Sequence, residues 1–239
     1  MVEGPQCRLK TLKLAPVLTG RAVVDATPNL TRVLGAGPVV RVSSVGKECF
    51  ICFRDFAIRW HFGMSGGIRI TRGADQGSVG SGSGNSAGAG ISHRNVVTAR
   101  IALDDGTVIV LLDSNSSIKT TAYVTGVEDR LATRDIVTEG RFDFTAAANL
   151  LCSDGRIVQE AIMDQAVLPG VGNVIKCEGL LRARISPFTT ASAIPEQRAR
   201  LLLRELRTFA RQWMDCCSRG APIRKAVYGK DTCGDCGGG

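Results

Sequence analysis

Three short segments carry groups capable of chemistry, and they lie far apart in the chain. The first is the amino terminus, Met1-Val2-Glu3-Gly4-Pro5. Val2 is small, so Met1 is expected to be removed, leaving Val2 with a free α-amine. An α-amine has a pKa of about 7.7–8.0, against about 10.4 for lysine, so far more of it is neutral at about pH 7. Only the neutral amine attacks carbon, which makes Val2 a candidate Schiff-base nucleophile without burial. Glu3 beside it is a candidate acid/base group. The second segment is Gly46-Lys47-Glu48, at a turn leading into Cys49–Phe53. There Lys47 could reach a phosphate or a base. The third runs from Met163-Asp164-Gln165 to Leu168-Pro169-Gly170-Val171-Gly172-Asn173. Gly170 and Gly172 just ahead of a helix would let backbone N–H groups point outward together. Asn173 adds a side-chain donor, and the set suits a phosphate. Each segment alone also has an ordinary reading: a chain end, a solvated turn lysine, a corner between helices.

The elements that must position these groups change character along the chain. The first 125 residues or so read as β. Ile58, Trp60 and Phe62 alternate with Arg59 and His61, the period of a half-buried strand. The apolar runs Val96–Leu103 and Thr107–Leu112 flank Asp104-Asp105-Gly106, a hairpin turn signal. Residues 73–92 are rich in Gly and Ser and read as a flexible loop. Gly82-x-Gly84-x-x-Ala87 within them is rejected as a dinucleotide fingerprint, because it opens no helix. From about residue 145 the period becomes helical. Ile157, Val158, Ala161 and Ile162 form one apolar face. A helix should start near Asn173 and carry Ile175, Leu180 and Leu181. Another follows Pro195, with Leu202, Leu206, Phe209, Trp213 and Cys216 as its stripe and Gly220 and Pro222 as its stop.

The chain has 239 residues, 44% hydrophobic content and a net charge of +8, enough for a sizeable core in one or two domains. The charge is divided about evenly between the two halves, which suits a polyanion gripped between them. No apolar run approaches a membrane span, and the amino terminus does not resemble a secretory signal. The nine cysteines are therefore read as thiols in a reducing compartment. Cys216 and Cys217 read as packing residues, and the sequons at Asn29 and Asn115 as chance. His61 in a strand and His93 beside the Gly/Ser loop read as structural and exposed, and no Ser/His/Asp set is evident.

Taken together, Met1-Val2-Glu3-Gly4-Pro5, Gly46-Lys47-Glu48, His61-Phe62-Gly63-Met64-Ser65-Gly66, Leu168-Pro169-Gly170-Val171-Gly172-Asn173 and Glu178 resemble, in this order, the formamidopyrimidine/endonuclease VIII glycosylases. Val in place of the usual Pro, and Met-Asp-Gln before the Leu-Pro-Gly-Val-Gly-Asn run, are similar to the third endonuclease VIII-like branch in animals. The resemblance implies an α+β fold: an antiparallel β-sandwich followed by a helix–two-turns–helix domain. The divisions expected are a catalytic domain over 1–140, a DNA-binding domain over 141–230, and the start of an incomplete zinc ribbon over 231–239. It also implies roles. Val2 would attack C1′ of the damaged nucleotide, Glu3 would assist sugar-ring opening, and Lys47 would hold DNA near the lesion. Gly170, Gly172 and Asn173 would bind flanking phosphates, Glu178 would brace the turn by accepting backbone N–H bonds, and Met64 would fill the gap left by an extruded base.

Departures from the family pattern sharpen these expectations. A Val imine must be protonated to act as the electron sink that a Pro iminium always is, so AP lyase (β-elimination) activity should be weaker than base excision. The stretch Asp113–Lys119 has no Arg and no aromatic where relatives carry gap-filling residues. Single-stranded or unpaired DNA should accordingly be preferred. Cys233 and Cys236 supply one half of a zinc site, whereas a structural site takes four ligands. No cofactor is needed for the chemistry, and zinc enters only if the other ligands are supplied. Damaged DNA is the expected partner of a monomer, in the nucleus or another DNA-containing compartment, and hydantoins and oxidised pyrimidines are the lesions implied. A non-catalytic nucleic-acid-binding protein or a decayed glycosylase remain alternatives.

Overall fold

In the computed structural model, residues 2–72, 97–112, 117–122 (backbone), 131–140, 142–234 and 237–238 are described. The Gly/Ser-rich stretch 73–92, His93, Val96, residues 113–116 and Cys236 lie outside them. The chain opens with a helix, α1 (Gly4–Leu18), where the sequence reading expects β structure. Its buried face is Cys7, Thr11, Leu14 and Leu18, spaced as one helical stripe. The stripe contains a hydroxyl, which Thr11 satisfies by donating to the carbonyl of Cys7 at 3.0 Å. Pro5 sits in the first turn, where its missing N–H has no helical partner to lose. Pro16 lies inside the last turn. With a Thr in the apolar stripe and a Pro in the helix body, the local pattern is a poor advertisement for a helix.

Two antiparallel sheets follow. One has the order β1-β6-β7-β5, from Val23–Ala26, Val97–Leu103, Val108–Leu112 and Gly67–Thr71. The other has the order β2-β3-β4-β8, from Arg41–Val45, Glu48–Cys52, Phe56–His61 and Ser117–Ala122. Alternation places Ile51, Ile58 and Trp60 of one sheet, and Ile101, Leu103, Ile109 and Leu111 of the other, in a shared core with Leu14 and Leu18 of α1. Strand β3 is covered on both faces, for Phe50 and Cys52 are buried with Ala57 in a smaller cluster. The β6–β7 hairpin turns as expected. Gly106 takes φ +80°, and the N–H of Thr107 donates to the Asp105 carboxylate at 3.0 Å.

The helical half has its own core, which begins at Ile136 and Val137. Asp143 caps α2 (Phe144–Cys152) by accepting the N–H of Ala146 at 2.9 Å. The face Val158, Ala161 and Ile162 is buried, but on a single turn, α3 (Val158–Ala161). Helix α4 (Asn173–Ala183) starts where expected and ends at Arg184 in the left-handed region, φ 53°. The Arg198 guanidinium donates to the last carbonyls, those of Ala183 and Arg184, at 2.8 and 2.9 Å. Helix α5 (Glu196–Ser218) buries Leu202, Leu203, Leu206 and Phe209 completely. Each such side chain stabilises the fold by about 1.5–3 kcal/mol. Helices α4 and α5 meet at Gly179, where a Cβ would stand 2.4 Å from Cδ2 of Leu206.

The architecture is α+β, a sandwich followed by helices, and α1 joins the two: it packs on β2, β3 and α5. Among the described residues, no helix is long and apolar enough to cross a membrane.

Candidate active site

Glu3 precedes α1, and its backbone N–H donates to Oε1 of Gln6 at 3.0 Å. Its own carboxylate reaches 171 residues along the chain. Oε1 accepts the N–H of Val174 at 2.8 Å and Oε2 that of Ile175 at 3.2 Å. These are orphan donors of the first turn of α4, at the positive end of the helix dipole. The sequence reading assigns that turn to a phosphate, with Gly170 and Gly172 freeing the N–H groups. That expectation is corrected here: two of the donors are taken by an anion of the chain itself.

The two glycines make this contact possible. A Cβ on Gly172 would fall 2.4 Å from Cδ of Glu3, and Gly170, at φ +97°, accepts the N–H of Gly4 on its carbonyl at 3.0 Å. The N–H of Gly170 is itself taken by Oε1 of Gln165 at 3.0 Å. Gly46 closes the same junction from the β side: at φ +59° it presses so near that a Cβ would be 2.8 Å from the nitrogen of Gly170. Four glycines thus let the amino terminus, the β2–β3 turn and the 169–172 loop converge.

Val2 and Glu3 are both buried, at 8% and 0% exposure. Lys47 sits at the β2–β3 turn, half-buried, and faces Glu3 electrostatically. Burial pushes the Glu3 carboxyl above its ordinary 4.5, although the α4 N–H groups and Lys47 pull it down. Burial likewise lowers Lys47 from its ordinary 10.5, against the opposing pull of Glu3. The two groups are drawn toward one another in proton affinity, the condition for acid/base work near neutral pH. Thiol chemistry is disfavoured at this junction. Burial pushes Cys49 up to about 12 and raises Cys7 in the same direction, so neither is a thiolate at neutral pH.

The other expected residues lie around this centre. Asn173 is half-buried at the start of α4, and its Oδ1 accepts Nζ of Lys176 at 3.0 Å, leaving the amide NH₂ as its donor. Met64 is 56% exposed on the turn after β4, beside Gly63 at φ +63°. Glu178 is fully buried and does accept backbone N–H bonds, but from a different turn than expected. Oε2 takes Ala226 at 2.9 Å, and Oε1 takes Val227 and Tyr228 at 3.0 and 2.9 Å. It therefore anchors the segment after α5 rather than the loop before α4. Replacing Glu178 by Ala should cost about 2–4 kcal/mol, since three donors lose a charged acceptor. Urea denaturation would show it, with faster proteolysis after residue 220. A variant as stable as the parent would show that the segment is held by other contacts.

Cys233 is half-buried, and Cys236, paired with it in the sequence motif, lies outside the described residues. Among the described residues, no three or more His, Cys, Asp or Glu side chains gather as a metal site. The described residues do not supply the four ligands of a closed structural zinc site.

Sequence reasoning missed Gln6, Gln165 and Asp135. Gln165 lies within a quoted motif, and Gln6 directly follows one. Asp135 lies in Arg134-Asp135-Ile136-Val137, a stretch with no pattern to single it out.

The H2TH domain of formamidopyrimidine-DNA glycosylase matches residues 135–215. Endonuclease 8-like 3 of Bos taurus is 28% identical across 99% of this chain, and formamidopyrimidine-DNA glycosylase of Neisseria meningitidis is 25% identical across 95%. The chain spans 43% of the bovine protein and 82% of the bacterial one. Among solved structures, MutM in complex with carbocyclic 8-oxo-G containing DNA superposes with a TM-score of 0.72 at 17% identity, covering 99% of this chain and 92% of that one. Residues 135–215 thus match an H2TH domain, and over nearly its whole length the chain is similar to formamidopyrimidine-DNA glycosylases and endonuclease 8-like proteins.

Proposed function

We propose that this protein is a base-excision-repair DNA glycosylase acting through the α-amine of Val2. The observation that carries the reading is the seat of Glu3. It is a fully buried carboxylate adjoining Val2, held by the N-terminus of α4 and opposed by Lys47. Its place beside the Val2 amine and opposite Lys47 sets it apart from Glu178, an equally buried carboxylate that holds the backbone N–H groups of residues 226–228.

In this mechanism the neutral Val2 amine attacks C1′ of the damaged nucleotide. The C1′–base bond breaks, and the base leaves with the electron pair. One amine proton goes to the departing base, and Glu3, its proton held more tightly than in water, protonates the sugar-ring oxygen as the ring opens, leaving a protonated imine between Val2 and C1′ that can lose its remaining N–H proton. Proton loss from C2′ then permits β-elimination of the 3′ phosphate. That second step needs a protonated imine, so strand cleavage is slower than excision. Lys47 stabilises DNA charge beside the lesion. Asn173 offers its amide NH₂ to a flanking phosphate, and Met64 enters the space of the extruded base, where an unbranched apolar side chain can restack. Residues 1–140 supply the chemistry and 141–230 the grip. Single-stranded or unpaired DNA is the preferred substrate, and the protein acts as a monomer, in the nucleus or wherever cellular DNA is housed.

The test is borohydride trapping on single-stranded DNA carrying an abasic site, with the crosslink located by mass spectrometry. The expected result is one adduct on the Val2 amine of protein that has lost Met1, absent when the terminus is acetylated. Binding without an adduct from such protein would favour a non-catalytic nucleic-acid-binding role.

A further inference from the structure

A second carboxylate is buried at the same junction and has no part in the reaction above. Asp135 is 3% exposed. Its Oδ2 accepts the N–H of Gly46 at 2.9 Å, across 89 residues of sequence. Its Oδ1 accepts the N–H of Val137 at 3.0 Å and lies 3.2 Å from where a Cβ on Gly170 would be. The next residue, Ile136, donates its N–H to the carbonyl of Pro169 at 3.2 Å. Arg8 of α1 and Arg207 of α5 are the cations that face the carboxylate. Arg207 also donates to the carbonyls of Ile136 and Thr138, at 3.1 and 2.8 Å.

We propose that Asp135 is the positioning residue for Lys47: by holding the Gly46 N–H, it fixes the β2–β3 turn against the 169–170 loop, so that Lys47 stands opposite Glu3. Gly46 at φ +59° is a turn tip whose N–H would otherwise face solvent or nothing. An acceptor from the helical half gives that tip one orientation. Lys47 is the next residue, and its partly buried ammonium follows the turn. The geometry also explains why a charged residue is tolerated here, since both oxygens have donors and two guanidiniums stand nearby.

The catalytic arm of the test rests on the glycosylase reading, whereas two other arms do not. Acylation of Lys47 is followed by mass spectrometry in the full chain, with Lys13 and Lys230 as internal references. In Asp135→Asn, whose amide would present a donor to the Gly46 N–H or lose one contact, Lys47 should label about tenfold faster or slower, the equivalent of about one pKa unit. The reference lysines should not change. In the unaltered protein, the Gly46 amide should exchange far more slowly than that of Lys47, a measurement that survives any failure of the variant to fold. Unchanged Lys47 labelling, or a rapidly exchanging Gly46 amide, overturns the proposal. For activity, a double-mutant cycle on abasic-site DNA is decisive. Asp135→Asn should slow single-turnover cleavage by about 10- to 100-fold alone and add almost nothing in a Lys47→Ala background. An equal loss in both backgrounds would mean that Asp135 acts other than through Lys47. A parent protein with no turnover on DNA would defeat the glycosylase reading while leaving the labelling and exchange results to decide this one.

Discussion

Replacing Glu3 by Gln is expected to slow base excision by about 10²- to 10⁴-fold, the range for loss of a positioned acid/base group. Affinity for abasic-site DNA should stay within a few-fold. Gln is nearly the same size, so the glycine-lined space around it is not disturbed. It cannot release a proton to the sugar-ring oxygen, and its NH₂ would oppose one of the two N–H donors of α4. The deficit should be smaller on a preformed abasic site, whose sugar already opens to an aldehyde in water, than on a damaged base. Equal deficits on both substrates would place Glu3 in DNA binding rather than in ring opening.

The same variant should change the pH dependence of stability. Burial raises both Glu3 and Asp135 above their ordinary values, so the folded chain holds these protons more tightly than the unfolded chain. The stability this contributes is complete below the unfolded values, at about pH 4, and is lost as pH rises through the folded ones. Gln at position 3 removes one of the two contributions. The fall in melting temperature from acid toward neutral pH should therefore be shallower in the variant but not abolished. Parallel profiles would mean that Glu3 is better solvated than its position implies.

What the sequence could announce was whatever a short window determines. The alternation around Ile58, Trp60 and Phe62 gave a strand because side-chain direction repeats every two residues. The 104–106 turn gave a hairpin because Gly106 takes a positive φ. The stripe from Leu202 to Phe209 gave α5 because burial there is continuous over several turns. Helix α1 escaped notice because its buried face mixes Cys7 and Thr11 with two leucines and carries Pro16. Its stability comes from packing on the sandwich and α5, not from its own residues.

The site divides along the same line. Val2, Glu3, Lys47 and the 168–173 loop were recognisable by type and order, and the structure brings them together. Their partners were not recognisable. The loop before α4 looks locally like a phosphate cradle, and nothing near it in sequence reveals that a glutamate 171 residues away fills it. Glu178 shows the same limit: a buried carboxylate signals that backbone donors must exist, but only the fold says that they belong to residues 226–228. Asp135 was invisible because its importance lies in a contact with Gly46 and in no local pattern. The proposed chemistry is read from residue types, while proton affinity and placement are set by contacts between the halves.

That distinction can be tested at one position. Gly172→Ala should reduce turnover by about 10²-fold or more, because a shift of about 1 Å in a catalytic group is enough to do so. Gly172 has extended backbone, φ −127° and ψ −168°, which alanine adopts without strain. The added methyl group has nowhere to go. It would stand 2.4 Å from Cδ and 2.6 Å from Oε1 of Glu3. Either the carboxylate gives up the N–H groups of Val174 and Ile175, or the 169–172 loop retreats from the amino terminus. Both movements separate Glu3 from Val2 and Lys47. Overpacking of this kind costs about 1–3 kcal/mol, which a domain of this size can absorb without unfolding. Gly170→Ala is the contrast. Its φ of +97° and its contacts with Ile136 and Asp135 make that change a strain on the fold first and on the site second. The pair of variants separates the two functions of the loop: Gly172→Ala should melt near the parent and fail in turnover, and Gly170→Ala should lose stability before turnover is measured. If Gly172→Ala excised bases at the parental rate, the seat of Glu3 on α4 would not be required for the reaction, and the electrostatic argument that assigns Glu3 its proton would fall with it.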